Sequence, residues 1–324
     1  MLRYCFFSIF CILLCSCSNK SEQKNKTIPK VKIEIPKFNA DSAYYFIEKQ
    51  VDFGPRVISS MAWENCAIWL EKKLKTYTPH VTIQEAPIQT YDKKNHTLKN
   101  IIASFSTEKN NRIALFAHWD SRHVADHDTI NQDSPILGAN DGGSGVGVLL
   151  EIARHFKNKN PKIGVDIILF DAEDYGQPEN SKFPIMEDSW CLGSQYWSKK
   201  PHKPNYFARY GILLDMVGAK NATFRQEEIS NYFAPNLVEK VWRKANQLGY
   251  GNHFVFEKSK QILDDHYYVN TIIGIPTIDI IEYDATTETN FNKHWHTHND
   301  NMNNIDRNTL KAVGQTLLEI IYTE

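Results

Sequence analysis

Two apolar runs in this chain finish in residues that can do chemistry. Ile113–Ala117 leads into His118 and Asp120, and Val165–Phe170 leads into Asp171, Glu173 and Asp174. Between them the Gly-rich turn GANDGGSG (Gly138–Gly145) carries Asp141. Asp215 and Glu282 close two later apolar runs, and His294, His296 and His298 follow the last. One acid at a strand end is commonly a turn residue or a helix N-cap. A set of His, Asp and Glu residues far apart in sequence, all at such ends, needs another explanation. It suits a catalytic zinc that keeps one coordination position open. Two rival motifs are weaker. The turn lacks the Lys-Ser/Thr of a P-loop and the GxGxxG spacing of a dinucleotide fold. Ser144 in GGSGV matches GxSxG, but no strand runs directly into it, as a nucleophile elbow requires.

The elements that must position these groups follow from apolar patterning. The continuous apolar character of the runs ending at His118, Asp171, Val217 and Tyr283 (IILF, ILL, IDII) predicts strands buried on both faces. Helices are expected from Asp41 to Val51, over Ala62–Tyr77, Gly145–Phe156 and Pro235–Leu248, near Ser194–Ser198 and Asp265–Thr271, and over Asn308–Ile321, where apolar residues recur at helical spacing. Val81–Tyr91 and Lys99–Phe105 alternate like strands. The alternation of β and α elements implies an α/β class, three-layer α/β/α sandwich with a central mixed, mostly parallel sheet. In such sheets ligands sit outside the carboxyl ends of the strands, where the acids and histidines fall. Tyr175–Trp190 has no period and reads as a long loop beside the site.

A length of 324 residues suits one large domain. A net charge of -1 without basic blocks argues against a nucleic-acid surface. The N-terminus, MLRYCFFSIFCILLCSCSNK, has an apolar run from Tyr4 to Leu14 that is too short to span a membrane and fits a secretory segment. Leu14-Cys15-Ser16-Cys17 resembles a bacterial lipoprotein signal with Cys17 as the lipidated residue. The expected organisation is a signal segment over 1–17, a tether over 18–38 and one catalytic domain over 39–324. The protein is then exported and lipid-anchored to a bacterial membrane, facing the periplasm, and a monomer is expected. Of the six cysteines, Cys66 and Cys191 remain in the body as either a pair or two buried thiols.

HWD (His118–Asp120), NDGGSGV (Asn140–Val146), DAED (Asp171–Asp174), LLDMVG (Leu213–Gly218) and WHT (Trp295–Thr297) resemble, in order and spacing, the zinc aminopeptidase-like family M28. The likeness covers Asp41 to Glu324. Within the family the chain looks most like glutaminyl cyclases, through the Trp before the last metal His, the triplet Asp264–His266 and the segment LLDMVGAKNATF. That resemblance implies conversion of the N-terminal glutamine of peptides and exported proteins to pyroglutamate with release of ammonia, using one zinc ion per chain. It assigns Asp141, Asp174 and His296 as zinc ligands and Glu173 as general acid/base. Asp215 and Asp265 match hydrogen-bonding carboxylates, and Trp295, Phe291 and, by looser alignment, Trp190 match aromatic walls. Two positions depart from the animal pattern: the Glu-Glu pair is Glu173-Asp174, and Asp279 stands where those enzymes carry a His near the substrate pocket. Two alternatives stay open. One is a secreted two-zinc aminopeptidase of the same family, with His118 and Asp215 holding a second metal beside Asp141. The other is a binding lipoprotein with a metal-stabilised pocket.

Overall fold

Strands whose side chains are apolar on both faces need cover on both faces, and the computed structural model of the protein supplies it. The structure describes residues 34–324, with Met1, Leu2 and Tyr4. The rest of the expected signal segment, Cys17 included, and most of the expected tether lie outside the described residues. In chain order the elements are α1 (Ala40–Val51), α2 (Met61–Lys75), β1 (Val81–Gln89), β2 (Asn95–Phe105), β3 (Arg112–His118), α3 (Gly143–Asn158), β4 (Gly164–Phe170), α4 (Leu192–Lys199) and β5 (Gly211–Asp215). They continue with β6 (Phe224–Gln226), α5 (Glu228–Phe233), α6 (Pro235–Gln247), β7 (Phe254–Lys258), α7 (Asp265–Tyr268), β8 (Thr277–Ile281) and α8 (Arg307–Thr323).

The main sheet has the order β1-β2-β4-β3-β5-β8. β1 and β2 join antiparallel at one edge, while β4, β3, β5 and β8 run parallel. After β3 the chain moves to one side of that strand, and after β4 it crosses back to the other. The carboxyl ends of four parallel strands therefore open side by side, which is where a ligand crevice forms in α/β sheets. Every residue of β3, β4, β5 and β8 is buried. Ala114, Phe116, Ile168, Phe170 and Leu213 pack with Trp197 of α4 and with Val269. On the alternate side, Ala117 meets α3 at Gly145, where a Cβ would lie 2.2 Å from the Leu214 carbonyl oxygen. No larger residue lets α3 sit that close to β5. The fold is thus an α/β/α sandwich with a mixed sheet, as expected.

Differences from expectation lie in the shortest pieces. The helix over Asp265–Thr271 is one α turn followed by a π-helical turn, Val269–Ile273, closed by Gly274 at φ 76°. The small parallel pair β6–β7 and the six-residue α5 were not anticipated. Tyr175–Trp190 carries no regular element. Among the described residues no helix is long and apolar enough to cross a membrane.

Candidate metal centre and pocket

The turn after β3 is fixed from below by Arg56, a buried guanidinium that donates to the carbonyl oxygens of Trp119 (2.9 Å), Leu137 (2.6 Å) and Gly138 (2.7 Å). Asp120 then accepts the backbone N–H groups of Glu173 (3.2 Å) and Asp174 (3.1 Å), so the ends of β3 and β4 are tied together. Asp171 turns away from the site. It accepts from Trp63 Nε1 (2.9 Å) and from the backbone N–H of Lys99 (2.7 Å) and Ala172 (2.8 Å). Gly142 carries φ 79°, and a Cβ there would sit 2.5 Å from the Asp120 carbonyl oxygen and 2.9 Å from His118 Cε1. Only glycine fits. Asp300 accepts from the backbone N–H of Asn140 (2.7 Å) and Asp141 (3.0 Å) and so aims the Asp141 loop. The Ser144 hydroxyl donates to Asn140 O (2.6 Å) and accepts from Val217 N–H (2.9 Å), which makes it a brace.

Asp141, Asp174 and His296 converge, with one ligand atom from each inside 4.8 Å of the others. His296 Nε2 lies 3.3 Å from Asp174 Oδ1 and 3.7 Å from Asp141 Oδ2. Both Asp174 oxygens and Asp141 Oδ2 are buried without a hydrogen-bond partner among the described residues. Unpaired buried carboxylates are strongly destabilising, and a divalent cation resolves that. Two carboxylates and one imidazole are a donor set that zinc accepts, so the residues fit the metal.

A second group, His118, Asp141 and Asp215, is also close, with His118 Nε2 set between the two carboxylates. His118 Nε2 is 3.0 Å from Asp141 Oδ1 and 3.1 Å from Asp215 Oδ1, and Nδ1 is 3.4 Å from Asp120 Oδ1. Burial lowers the pKa of His118, yet Asp120, Asp141 and Asp215 outweigh it and hold it well above the ordinary histidine value. Burial pushes Asp141 up, but His118 overrides that and keeps it below the usual carboxylate value. Asp215 is pushed by burial to about 7 despite its bond to His118, and Asp174 by burial and by Asp141 to about 6. Glu173 is raised well above its ordinary value, first by burial and further by Asp174, Asp264 and Asp265, against the pull of His118.

Over this floor lies a cavity of about 180 Å³ walled by Trp190, Phe291 and Trp295, with Ile262 and Leu263 beside them. Asp141, Glu173, Asp174, Asp215 and His296 all face it. The structure thus brings together eight of the residues singled out from sequence. His118 lies beneath them. Asp265 and Asp279 do not line the cavity. Asp264, one residue earlier, does: it is the N-cap of α7, and the helix that begins at Asp265 buries the latter's side chain behind the wall. Asp279 sits two residues deeper in β8 than Ile281, which reaches the cavity, and its Oδ2 is 3.8 Å from His266 Nδ1. Sequence reasoning also missed Asp300 and Cys191, whose thiol donates to Glu173 Oε1 at 3.2 Å. Among the described residues Cys66 and Cys191 are both free and buried.

The backbone turns sharply around the site: Ala172 and Met216 just past β4 and β5, Cys191 at the start of α4 and His296 in its loop have φ of 53°, 47°, 56° and 55°, the left-handed region that side chains other than Gly and Asn seldom occupy.

Residues 100–321 match peptidase family M28, and the chain belongs to that family. Among solved structures it is similar to Tannerella forsythia glutaminyl cyclase, at 53% identity and a TM-score of 0.87, covering 89% of this chain and 100% of that one. It is equally similar to a Zn-dependent exopeptidase from Parabacteroides distasonis, at 53% identity and a TM-score of 0.88, covering 90% and 100%. The glutaminyl-peptide cyclotransferase of Bos taurus is 25% identical over 262 residues, 68% of this chain, and the chain spans 64% of that relative's length.

Proposed function

We propose that the protein is a glutaminyl-peptide cyclotransferase that converts N-terminal glutamine to pyroglutamate and releases ammonia, with one zinc ion held by Asp141, Asp174 and His296. One observation carries the reading: a small cavity with three aromatic walls is seated directly on that triad and on Glu173. The similarity to the Tannerella forsythia and Bos taurus proteins supports it.

Bound zinc would supply a Lewis acid that polarises the γ-amide carbonyl of glutamine. The nucleophile and electrophile belong to one residue, so the aromatic walls have only to hold the side chain folded toward its own amine. The α-amine nitrogen bonds to the side-chain carbonyl carbon Cδ, the bond from that carbon to the amide nitrogen breaks, and one proton moves from the amine to the departing ammonia. Glu173 carries that proton. A carboxyl raised by burial is matched to both taking it and giving it back. Asp264 and Asp215 flank the path as further acceptors. Shelter by Trp190, Phe291 and Trp295 keeps water from competing with the amine.

The aminopeptidase reading rests on the His118, Asp141 and Asp215 group. All three residues of the Asp141, Asp174 and His296 triad line the cavity whereas His118 does not, which supports one metal at the reacting centre. The Cys17 lipoprotein signal supports an exported, membrane-anchored enzyme facing the periplasm and acting on exported peptides.

The deciding experiment uses the soluble form starting after Cys17, supplied with zinc, and two dipeptides followed by mass spectrometry, one beginning with Gln and one with Leu. Loss of one ammonia from the first with the second untouched is expected. Release of free Leu would assign an aminopeptidase instead.

A further inference from the structure

Arg122 is fully buried and stands outside the cavity, yet its guanidinium reaches three separate parts of the site. Nη1 donates to the carbonyl oxygens of Asp174 (3.0 Å) and Gly176 (2.9 Å). Nε and Nη2 grip Asp126 in a two-pronged pair at 3.1 and 2.5 Å. Its plane lies over the Trp190 ring at 4.3 Å. Asp126 in turn places Oδ1 3.1 Å from His296 Nδ1, an ion-pair distance without the alignment of a full hydrogen bond, at the ring nitrogen opposite the one that faces Asp174 and Asp141. The same loop holds the backbone, since His127 N–H donates to His296 O at 3.3 Å.

We infer that Arg122 and Asp126 form a positioning clamp for the metal centre: Asp126 holds the proton of His296 on Nδ1, leaving Nε2 as the ligand atom, and Arg122 locks Asp126, the Asp174 backbone and Trp190 into one unit. Three physical points carry this. An imidazole has one lone pair to offer a metal, and a carboxylate at the other nitrogen decides which nitrogen keeps it. His296 sits at φ 55°, a conformation that needs outside support. Finally, the Trp190 ring lies parallel to His296, 8° apart in plane with centroids at 5.9 Å, and is packed so closely on Gly176 that a Cβ there would be 1.9 Å from a ring atom. A shift of Arg122 would therefore move a metal ligand and a pocket wall together. Only an arginine has the planar fork to hold one carboxylate while donating to two carbonyls.

The inference rests on the zinc reading above, and zinc affinity measured by competition with a chromogenic chelator separates the two. Asp126→Asn is expected to bind zinc about 10–100-fold more weakly than the natural protein. Asp126→Glu, which keeps the carboxylate, is expected to stay within about threefold. Arg122→Lys is expected to weaken zinc and also to raise KM, because Trp190 loses its backing. Natural zinc affinity in folded Asp126→Asn overturns the clamp. A second measurement needs no variant: a long-range proton–nitrogen NMR spectrum of the zinc-loaded natural protein should show His296 protonated at Nδ1, and a proton on Nε2 overturns the inference. Zinc binding that depends on Asp126 without glutamine cyclisation would sustain the clamp while overturning the proposed function. A natural protein that binds no zinc would overturn both.

Discussion

Strands β3 and β4 carry a buried polar cluster at each end, and the two are built on opposite rules. At the amino ends, Arg112 pairs with Asp166 through Nε and Nη2, both at 2.8 Å. Ser104 Oγ (2.5 Å) and Tyr206 OH (2.9 Å) donate to the same carboxylate, and the other Arg112 N–H groups reach the carbonyls of Phe105, Ser106 and Lys109. Charge and hydrogen bonds are both balanced there. At the carboxyl ends, by contrast, Asp141 and Asp174 keep buried oxygens with no hydrogen-bond partner among the described residues. The first cluster is complete in itself and holds two strands in register. The second is completed only by something that arrives, and that incompleteness is what identifies it as the working end.

The largest effect should come from the working end. Glu173→Gln is expected to lower turnover by about 10²–10⁴ while leaving the fold and zinc content intact. Near-normal turnover in folded Glu173→Gln would sink its proton-transfer role.

Next in size is the balanced end. Arg112→Met leaves Asp166 buried and unpaired, so chemical denaturation should show a loss of about 3–5 kcal/mol. Zinc affinity of the folded fraction should not change. A coupled loss of zinc binding would mean that the two ends are not separate.

Glu282 tests a third case, a buried acid satisfied by amides alone. Asn292 Nδ2 donates at 3.0 Å and Asn140 Nδ2 at 3.4 Å, and burial pushes the carboxyl from 4.5 up to about 7. The folded protein thus prefers the protonated form. Its contribution is fully present below the unfolded value near 4.5 and is lost as the pH rises through about 7. The decline amounts to about 3 kcal/mol. In Glu282→Gln this part of the pH dependence should disappear from denaturation curves measured between those limits. An unchanged slope would show that Glu282 ionises freely.

The smallest expected effect is the most diagnostic. Asp174→Asn removes one of two buried carboxylates that repel each other and gives up only the ion-pair contacts to His296 (3.3 Å) and Arg122 (3.8 Å), so the zinc-free protein should gain on the order of 1 kcal/mol in stability even as it loses zinc affinity. If the zinc-free variant is instead less stable, those two contacts outweigh the repulsion and the contrast between the ends fails.

Much of this was legible because burial on both faces makes a strand apolar throughout. β3, β4, β5 and β8 could be found as runs, and the polar residues ending them marked the site directly. β6, β7 and α5 left no such trace, since three to six residues carry too little pattern. The Asp264/Asp265 choice turned on where a one-turn helix begins, which adjacent aspartates do not reveal. Asp126 and Asp300 act on residues far away in the chain, and an isolated acid in a loop looks like any solvated one. Arg122 was hidden for the same reason. The free state of Cys66 and Cys191 required their positions: one lies inside α2, the other at Glu173.

The left-handed residues beside the reaction centre shape which mutations this lineage can accept. Each costs about 1–2 kcal/mol relative to the right-handed alternatives. At Ala172 the penalty can be relieved by glycine for the loss of one methyl group, while valine or isoleucine is barred. At His296 the proposed role as a metal ligand leaves no such exit, because glycine would discard the imidazole. Position 296 therefore carries a standing liability that selection can offset only elsewhere, and gains in heat tolerance should accumulate at neighbours such as 172 before anything changes at the ligand itself.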